Sequence, residues 1–276
     1  MREGDFFIRF WGVRGSIPCP GPDYVRYGGN TPCIEVRCGS KLMILDGGTG
    51  LRPLGEQLVA LGPVDADIFF SHTHLDHIVG VPFFAPIYNK QSNLRLWAGH
   101  LSPPLQLRDV LSGMMIDPLF PVPIDFFGSQ PHYQDFQAGD TLYPHSGVTI
   151  KTTALNHPNG ATGYRIEYQG RSICYVTDTE HRPDVLDQNI LALIEGTDIF
   201  IYDSTYTDQE YQTHIGWGHS TWQEGIKLAN QANVKTFIIF HHDPGHNDSA
   251  MDSITAQAHK KRPGTMVARE GMIVTL

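Results

Sequence analysis

Seven residues, Ser71-His72-Thr73-His74-Leu75-Asp76-His77, constrain this chain more than any other stretch. They follow directly on the apolar run Asp67-Ile68-Phe69-Phe70, which reads as a buried strand. Three imidazoles and a carboxylate crowded at the end of such a strand are an unfavourable choice for a purely structural loop, because buried polar groups need partners. Metal binding accounts for them. Imidazole suits zinc and other borderline first-row metals, and an adjacent carboxylate lets one segment serve two ions.

The 276 residues are enough for a sizeable core, and 41% hydrophobic with 18% charged residues is ordinary for a folded protein. A formal charge of −9 argues against a general nucleic-acid coat, which needs clustered Lys and Arg, but leaves room for a nucleotide held at a metal. Cys19, Cys33, Cys38 and Cys174 form no CxxC pair, so reduced thiols in a cytoplasmic protein are expected, with Cys33 and Cys38 facing each other in a hairpin as the alternative. Met1 to Asp5 lacks an apolar signal core, and no apolar run is long enough to span a bilayer, so no membrane association is expected.

Along the chain, strand-like and helix-like segments alternate without a Pro-rich linker, which predicts one α/β domain over residues 1–276. Leu51 to Leu61 has helical spacing; a helix-like stretch begins near Ile78; Asp184 to Glu195 and Ser249 to Lys261 read as helices. Ser220-Thr221-Trp222-Gln223 matches a capping box opening a helix to about Ala232. Residues 102–139 form a Pro- and aromatic-rich insertion carrying Met114, Met115, Phe120, Phe126 and Phe127, either packed or acting as a lid. Asp46-Gly47-Gly48-Thr49-Gly50 follows a strand and has two readings: a phosphate cradle, or a tight turn whose Asp46 orients a metal-bound histidine.

His72, His157, Asp178 and His241 each fall at the end of an expected strand, where an open α/β sheet collects a site. The ordered pattern HxHxDH, then His, Asp and His, resembles the metallo-β-lactamase superfamily over almost the whole chain. The resemblance implies a four-layer αβ/βα sandwich with a dinuclear centre at one sheet edge. It implies His72, His74 and His157 on one metal, Asp76, His77 and His241 on the other, and Asp178 bridging. Two divalent ions are expected, zinc first, with manganese or iron as alternatives. Asp178, where bacterial lactamases carry Cys, favours a phosphoesterase-type centre.

Within that superfamily the chain is most similar to ribonuclease Z and related phosphodiesterases, through Gly12-Val13-Arg14-Gly15-Ser16, Asn30-Thr31 and Gly218-His219-Ser220-Thr221. The resemblance implies that His219 acts on the scissile phosphate as general acid or stabiliser, and that Asp76 both binds metal and orients the nucleophile. Asp46, Asp203 and His242 are expected around the ligands rather than among them. Trp217 and Tyr206 are candidates either for stacking on a base or for packing at the rim. No basic, glycine-rich arm of the tRNA-processing enzymes stands between His77 and His219, which moves the expected substrate from tRNA to a small phosphodiester such as a cyclic nucleotide, cleaved by hydroxide activated at the two metals. Alternatives are a tRNA or RNA 3′-processing nuclease, a thioester or lactone hydrolase on the same centre, and, last, a non-catalytic metal or nucleic-acid-binding module. Homodimerisation is a further expectation from the resemblance.

Overall fold

The computed structural model describes residues 6–101 and 103–276. Met1 to Asp5 and Ser102, at the start of the expected insertion, lie outside the described residues. In the first half, β1 (Phe6–Gly12), β2 (Cys33–Cys38), β3 (Lys41–Leu45), β4 (Asp65–Phe70), β5 (Asn93–Ala98) and β6 (His132–Asp135) lie side by side in that order. In the second, β7 (Thr141–Leu142), β8 (Val148–Leu155), β9 (Ala161–Tyr168), β10 (Arg171–Val176), β11 (Ile199–Asp203), β12 (Thr236–Phe240) and β13 (Met266–Val267) form another sheet. The final strand β14 (Ile273–Thr275) returns to pair antiparallel with β1, so the chain's last strand closes the first sheet.

Both sheets are mixed. Strands β3 to β6 and β10 to β13 run parallel to their neighbours, while β1 to β3 and β7 to β10 pair antiparallel. Parallel strands buried on both faces read as continuous apolar runs, as Ile68-Phe69-Phe70 and Thr236 to Phe240 do. Between the sheets sit Ile8, Phe10, Val36, Phe69, Tyr164, Tyr175 and Phe240. Helices α1 (Leu51–Val59), α2 (Leu75–Ile78) and α3 (Leu107–Met114) belong to the first half of the chain, and the outer face of its sheet is covered by Leu54, Leu58, Leu107 and Leu111. Then come α4 (Gln188–Ile194), α5 (Asp208–Tyr211), α6 (Trp222–Gln231) and α7 (Asp248–Lys261), with Ile190, Trp222, Ile226, Met251 and Ile254 covering the second sheet. The result is the expected helix, sheet, sheet, helix sandwich.

Several local expectations change. The segment after His77 is not a long helix from Ile78: α2 ends there, and Gly80, Pro82 and Pro86 break the chain into 3-10 turns up to Tyr88. The fourth helix starts at Gln188 rather than Asp184, because the Asp187 carboxylate accepts from the amides of Asn189 and Ile190. The cap of α6 is Thr221, accepting from Glu224 N, so the pattern expected at Ser220 is one residue out of register. A reciprocal capping box does occur, at Thr207 and Glu210. Cys33 and Cys38 cannot face each other across a hairpin, since both lie on β2 at its opposite ends, and all four cysteines are free. Residues 103–139 are anchored by Leu107, Leu111, Met115, Ile124 and Phe127, which are buried, and by β6, which extends the first sheet, while most of the other side chains, Phe126 among them, are exposed or only partly buried.

Candidate metal centre

The site is assembled where strands end. Asp46 follows β3, Ser71 and His72 follow β4, His157 lies just beyond β8, Asp178 beyond β10, Asp203 ends β11, and His241 follows β12. Three of these turn sharply in the left-handed region, with φ of 60° at Asp46, 52° at Asp178 and 61° at His241. Such backbone in a residue other than glycine costs on the order of 1–3 kcal/mol and concentrates at functional sites. Helix α2 adds the remaining groups, since its first turn carries Asp76 and its last residues include His77, both buried.

Four overlapping donor groups result; two of them, one of His72, His77 and Asp178 and one of Asp178, His219 and His241, are built around Asp178, and the other two lie on either side of it. In one of these flanking clusters, His72, His74 and His157 bring one ring nitrogen each within 4.8 Å of one another; in the other, one ligand atom each of Asp76, His77 and His241 does the same. Asp178 stands between them. Its Oδ1 is 3.3 Å from His77 Nε2 and 3.2 Å from His241 Nε2, whereas its Oδ2 is 3.7 Å from both His72 Nε2 and His157 Nε2. One carboxylate thus turns an oxygen towards each cluster.

For four of the five rings, His74 excepted, the far nitrogen explains which nitrogen faces inward. His77 Nδ1 bonds Asp46 Oδ2 at 2.8 Å, and His72 Nδ1 meets Ser71 Oγ at 3.1 Å, with Ser71 Oγ in turn donating to Asp46. His157 Nδ1 donates to the Gly218 carbonyl at 2.7 Å, and His241 Nδ1 meets Thr205 Oγ1 at 2.9 Å, which donates to Asp203. These partners fix the tautomers and aim Nε2 at the centre. The Nε2 atoms of His72, His77 and His241 are buried without a hydrogen-bond partner, and His157 Nε2 lies 3.1 Å from His74 Nδ1. Buried orphan nitrogens and two facing imidazole nitrogens are unfavourable unless a cation sits among them. The donor set fits divalent metal, and its N and O chemistry fits zinc among others.

The electrostatics differ between the two clusters. Burial, then the neighbouring His77, holds His72 well below its ordinary range, and burial lowers His74 and His157 too, keeping neutral rings able to donate lone pairs. Burial also opposes charge on His77, but Asp76, Asp178 and Asp46 outweigh it and hold that ring well above its ordinary value. The Asp76 and Asp178 carboxyls, which burial alone would raise, are lowered by the surrounding histidines.

His219 lies beside the clusters without belonging to the expected ligand set. Its Nδ1 bonds Asp203 Oδ2 at 3.0 Å and is 3.8 Å from Asp178 Oδ2, and its ring stacks on His241 at 5.0 Å. Burial disfavours its charge, but Asp203 first and then Asp178 raise it to about 9. With Nδ1 committed to Asp203, Nε2 is the nitrogen left for a substrate. Asp203 and Asp46 therefore take the orienting positions expected of them. His242 does not: its Nε2 donates to the Ala268 carbonyl at 2.9 Å and its ring lies edge-on to Tyr27, because neighbouring side chains at a strand end diverge.

The glycine run after Asp46 is a packed turn, not a cradle. The amides of Gly47, Gly48 and Gly50 already donate to His77, Pro32 and Thr31 carbonyls, and a Cβ on Gly48 would lie 2.3 Å from the Asp76 carbonyl. Residues without an expected role at the centre complete the surroundings. Tyr175 donates to Asp46 at 2.7 Å, Ser16 N to Asp76 Oδ2 at 2.7 Å, and His100 bonds Thr73 within the histidine loop at 3.1 Å. Gly15 packs so closely on His241 that a Cβ would meet its ring at 2.3 Å. The one signal that could have found Ser71 and Thr205 is their position, a hydroxyl within two residues of a strand-end histidine or aspartate.

A family profile described as "Beta-lactamase superfamily domain" matches residues 44–242. A ribonuclease Z of Bradyrhizobium sp. is 23% identical over 315 residues, covering 96% of this chain and 98% of that protein. Among solved structures, the metallo-beta-lactamase fold protein YhfI from Bacillus subtilis superposes with a TM-score of 0.74 at 16% identity, covering 99% of this chain and 100% of the other. Unliganded yeast PDE1 superposes with 0.68 at 16% identity, covering 99% and 100%. At these identities the structural matches speak for the fold alone. The profile spans most of the chain and all of the strand-end residues just described, so this protein belongs to the beta-lactamase superfamily and is a metal-using hydrolase of the metallo-β-lactamase fold.

Proposed function

We propose that this hydrolase cleaves a small phosphodiester, such as a cyclic nucleotide, at two divalent metal ions, zinc first. The observation that carries the reading is the pair of donor clusters on either side of Asp178, with His219 beside them and held by Asp203. His72, His74 and His157 would hold one ion, Asp76, His77 and His241 the other, and Asp178 both. Ions bound there would neutralise charge on a phosphate and make a nucleophile available from water near neutral pH.

The chain's own groups do the rest. The Ser16 amide donates to Asp76 Oδ2 and holds that carboxylate in place, where it would both bind an ion and orient the attacking water. His219 approaches with Nε2 free, Nδ1 bonded to Asp203, and donates a proton to that leaving oxygen. Asp203 fixes the tautomer and supports the imidazolium, and Thr205 links it to His241, so proton donor and ligand set share one brace.

Metal analysis of the purified protein should give close to two ions per chain, with turnover of bis(p-nitrophenyl) phosphate. A metal-replete sample inert on that ester, on cyclic nucleotides and on RNA 3′ ends would sink the reading. Replacing His219 by Ala should lower turnover roughly 10²–10⁴-fold while metal content stays. Loss of metal with that change would make His219 a ligand instead. A second reading, RNA 3′ processing, is favoured by the ribonuclease Z relative and opposed by the charge of −9. Precursor tRNA belongs in the same substrate panel.

A further inference from the structure

We propose that Trp217 is a stacking platform for an aromatic group on the substrate, a nucleobase in the first instance, and so sets specificity at the mouth of the centre. The inference rests on the phosphodiesterase reading and deepens it. Exposure alone argues little, because single apolar side chains on a surface are ordinary. What distinguishes Trp217, which is 62% exposed, is how rigidly and how near the centre it is held.

The Glu180 carboxylate, two residues beyond Asp178, accepts from the amides of Gly216 at 2.8 Å and Gly218 at 2.7 Å, one on each side of Trp217. The Trp217 amide itself donates to the His214 carbonyl at 3.1 Å. On the other side of the same peptide segment, the Gly218 carbonyl accepts from His157 Nδ1 at 2.7 Å. Gly218 has φ of 85°, and a Cβ there would lie 2.5 Å from His157 Nδ1, so glycine is required for this close approach. The indole is therefore one residue from a carbonyl bonded to a candidate ligand and two residues from His219.

Ring contacts extend the same support. The indole meets His214 edge to face at 4.8 Å, His214 stacks on the buried Tyr206 at 4.5 Å, and Tyr206 stands edge-on to His219 at 6.1 Å. A chain of rings thus runs from the exposed indole back to the proposed proton donor. Other exposed apolar side chains occupy segments bonded to the centre: Ile17 follows Ser16, whose amide binds Asp76, and Leu75 lies between His74 and Asp76. A polar, cation-binding floor with apolar groups on its surrounding segments suits a substrate that joins a charged phosphate to a flat apolar ring. A base stacked on an aromatic side chain typically gains about 5- to 150-fold in affinity.

The test uses the full chain, loaded with zinc, as wild type, Trp217→Ala and Trp217→Phe. Adenosine 5′-monophosphate should quench wild-type tryptophan emission saturably, while ribose 5-phosphate should not. By calorimetry, Trp217→Ala should weaken adenosine 5′-monophosphate at least about tenfold relative to ribose 5-phosphate, with Trp217→Phe restoring most of the difference. In turnover, the ratio of kcat/KM for thymidine 5′-(p-nitrophenyl phosphate) over methyl p-nitrophenyl phosphate should fall by a similar factor in Trp217→Ala, through KM. An equal loss on both esters, or no preference for the base-bearing ligand in the wild type, overturns the platform. So does a dimer in sedimentation that Trp217→Ala dissolves, which would assign the indole to a second copy. Selective nucleotide binding without hydrolysis of any ester would leave the platform standing and remove the phosphodiesterase reading beneath it.

Discussion

Asp46 shows how much one buried carboxylate can organise. It accepts from His77 Nδ1, from the Ser71 amide and hydroxyl, and from the Tyr175 hydroxyl, all fully buried. Asp46→Ala would strand these donors and is expected to destabilise the fold by about 3–5 kcal/mol in chemical denaturation. Metal affinity should fall about 10–100-fold in chelator competition. Thr205→Val, removing the hydroxyl between His241 and Asp203, should reproduce the affinity loss with a much smaller effect on folding. For Asp46, just after a strand and opening a glycine turn, two readings stood in the sequence, and its bonds to His77 and Ser71 decide for the orienting one. Ser71, Thr205 and Tyr175 were not legible there, because a hydroxyl's role depends on which way it points across two sheets. The cysteines offer a second check at this scale. Burial pushes Cys38 and Cys174 up to about 12 and Cys33 well above its ordinary value, so at pH 8 these thiols keep their protons and should resist a thiol-reactive dye until the chain unfolds. A raised thiol contributes stability that is complete below the unfolded value near 9 and is lost as pH rises towards 12. Unfolding free energy should therefore decline above pH 9 by roughly 1.4 kcal/mol per unit for each thiol, and Cys38→Ala should flatten that slope.

At the scale of elements, function is concentrated in the few residues that follow each strand. The core strands were readable from their apolar runs, and the register of the histidine loop followed from them. The mostly exposed β6 and the two-residue β7, without such a run, were not, and β13 and β14, which look like one closing hairpin, pair with different sheets. The ends of helices were read less well, because caps depend on single side chains: Asp187 starts α4 late, and Thr221 rather than Ser220 starts α6. His242 was misassigned for a similar reason, since β12 ends in a left-handed residue that sends successive side chains different ways. The loop from Gln212 to His219 has no periodicity at all, yet Glu180 gives it a fixed shape through two glycine amides. Glu180→Ala should speed hydrogen exchange at Gly216 and Gly218 without changing exchange in β10 or β11. Equal acceleration throughout the second sheet would mean that Glu180 supports the fold rather than the loop. Gly15→Ala makes the complementary point in the opening loop. Its methyl would press on the His241 ring, so the variant should fold and yet bind metal more weakly.

For the whole molecule, the two sheets meet in a core that includes Phe10, Phe69, Tyr175 and Phe240, and the same strands end at the centre. Core and site are thereby coupled: any ion held by His72, His74, His157, Asp76, His77, Asp178 and His241 cross-links segments from both sheets. These ligands are close together only when the sheets are packed, so the folded state binds metal far better than the unfolded chain and metal must stabilise it. At a free ion concentration a thousand times the dissociation constant, the gain is about 4 kcal/mol. For a chain of this size that corresponds to a rise in Tm of roughly 8–16 °C. Thermal unfolding of the metal-loaded protein, of the chelated protein and of the chelated protein given zinc again should show a drop and a recovery of that order. Asp178→Ala, lacking the carboxylate that faces both clusters, should show little response to either step. A Tm indifferent to chelator in the wild type, with metal shown to be removed, would mean that the seven side chains are held together by the protein alone and that the centre is not a metal site.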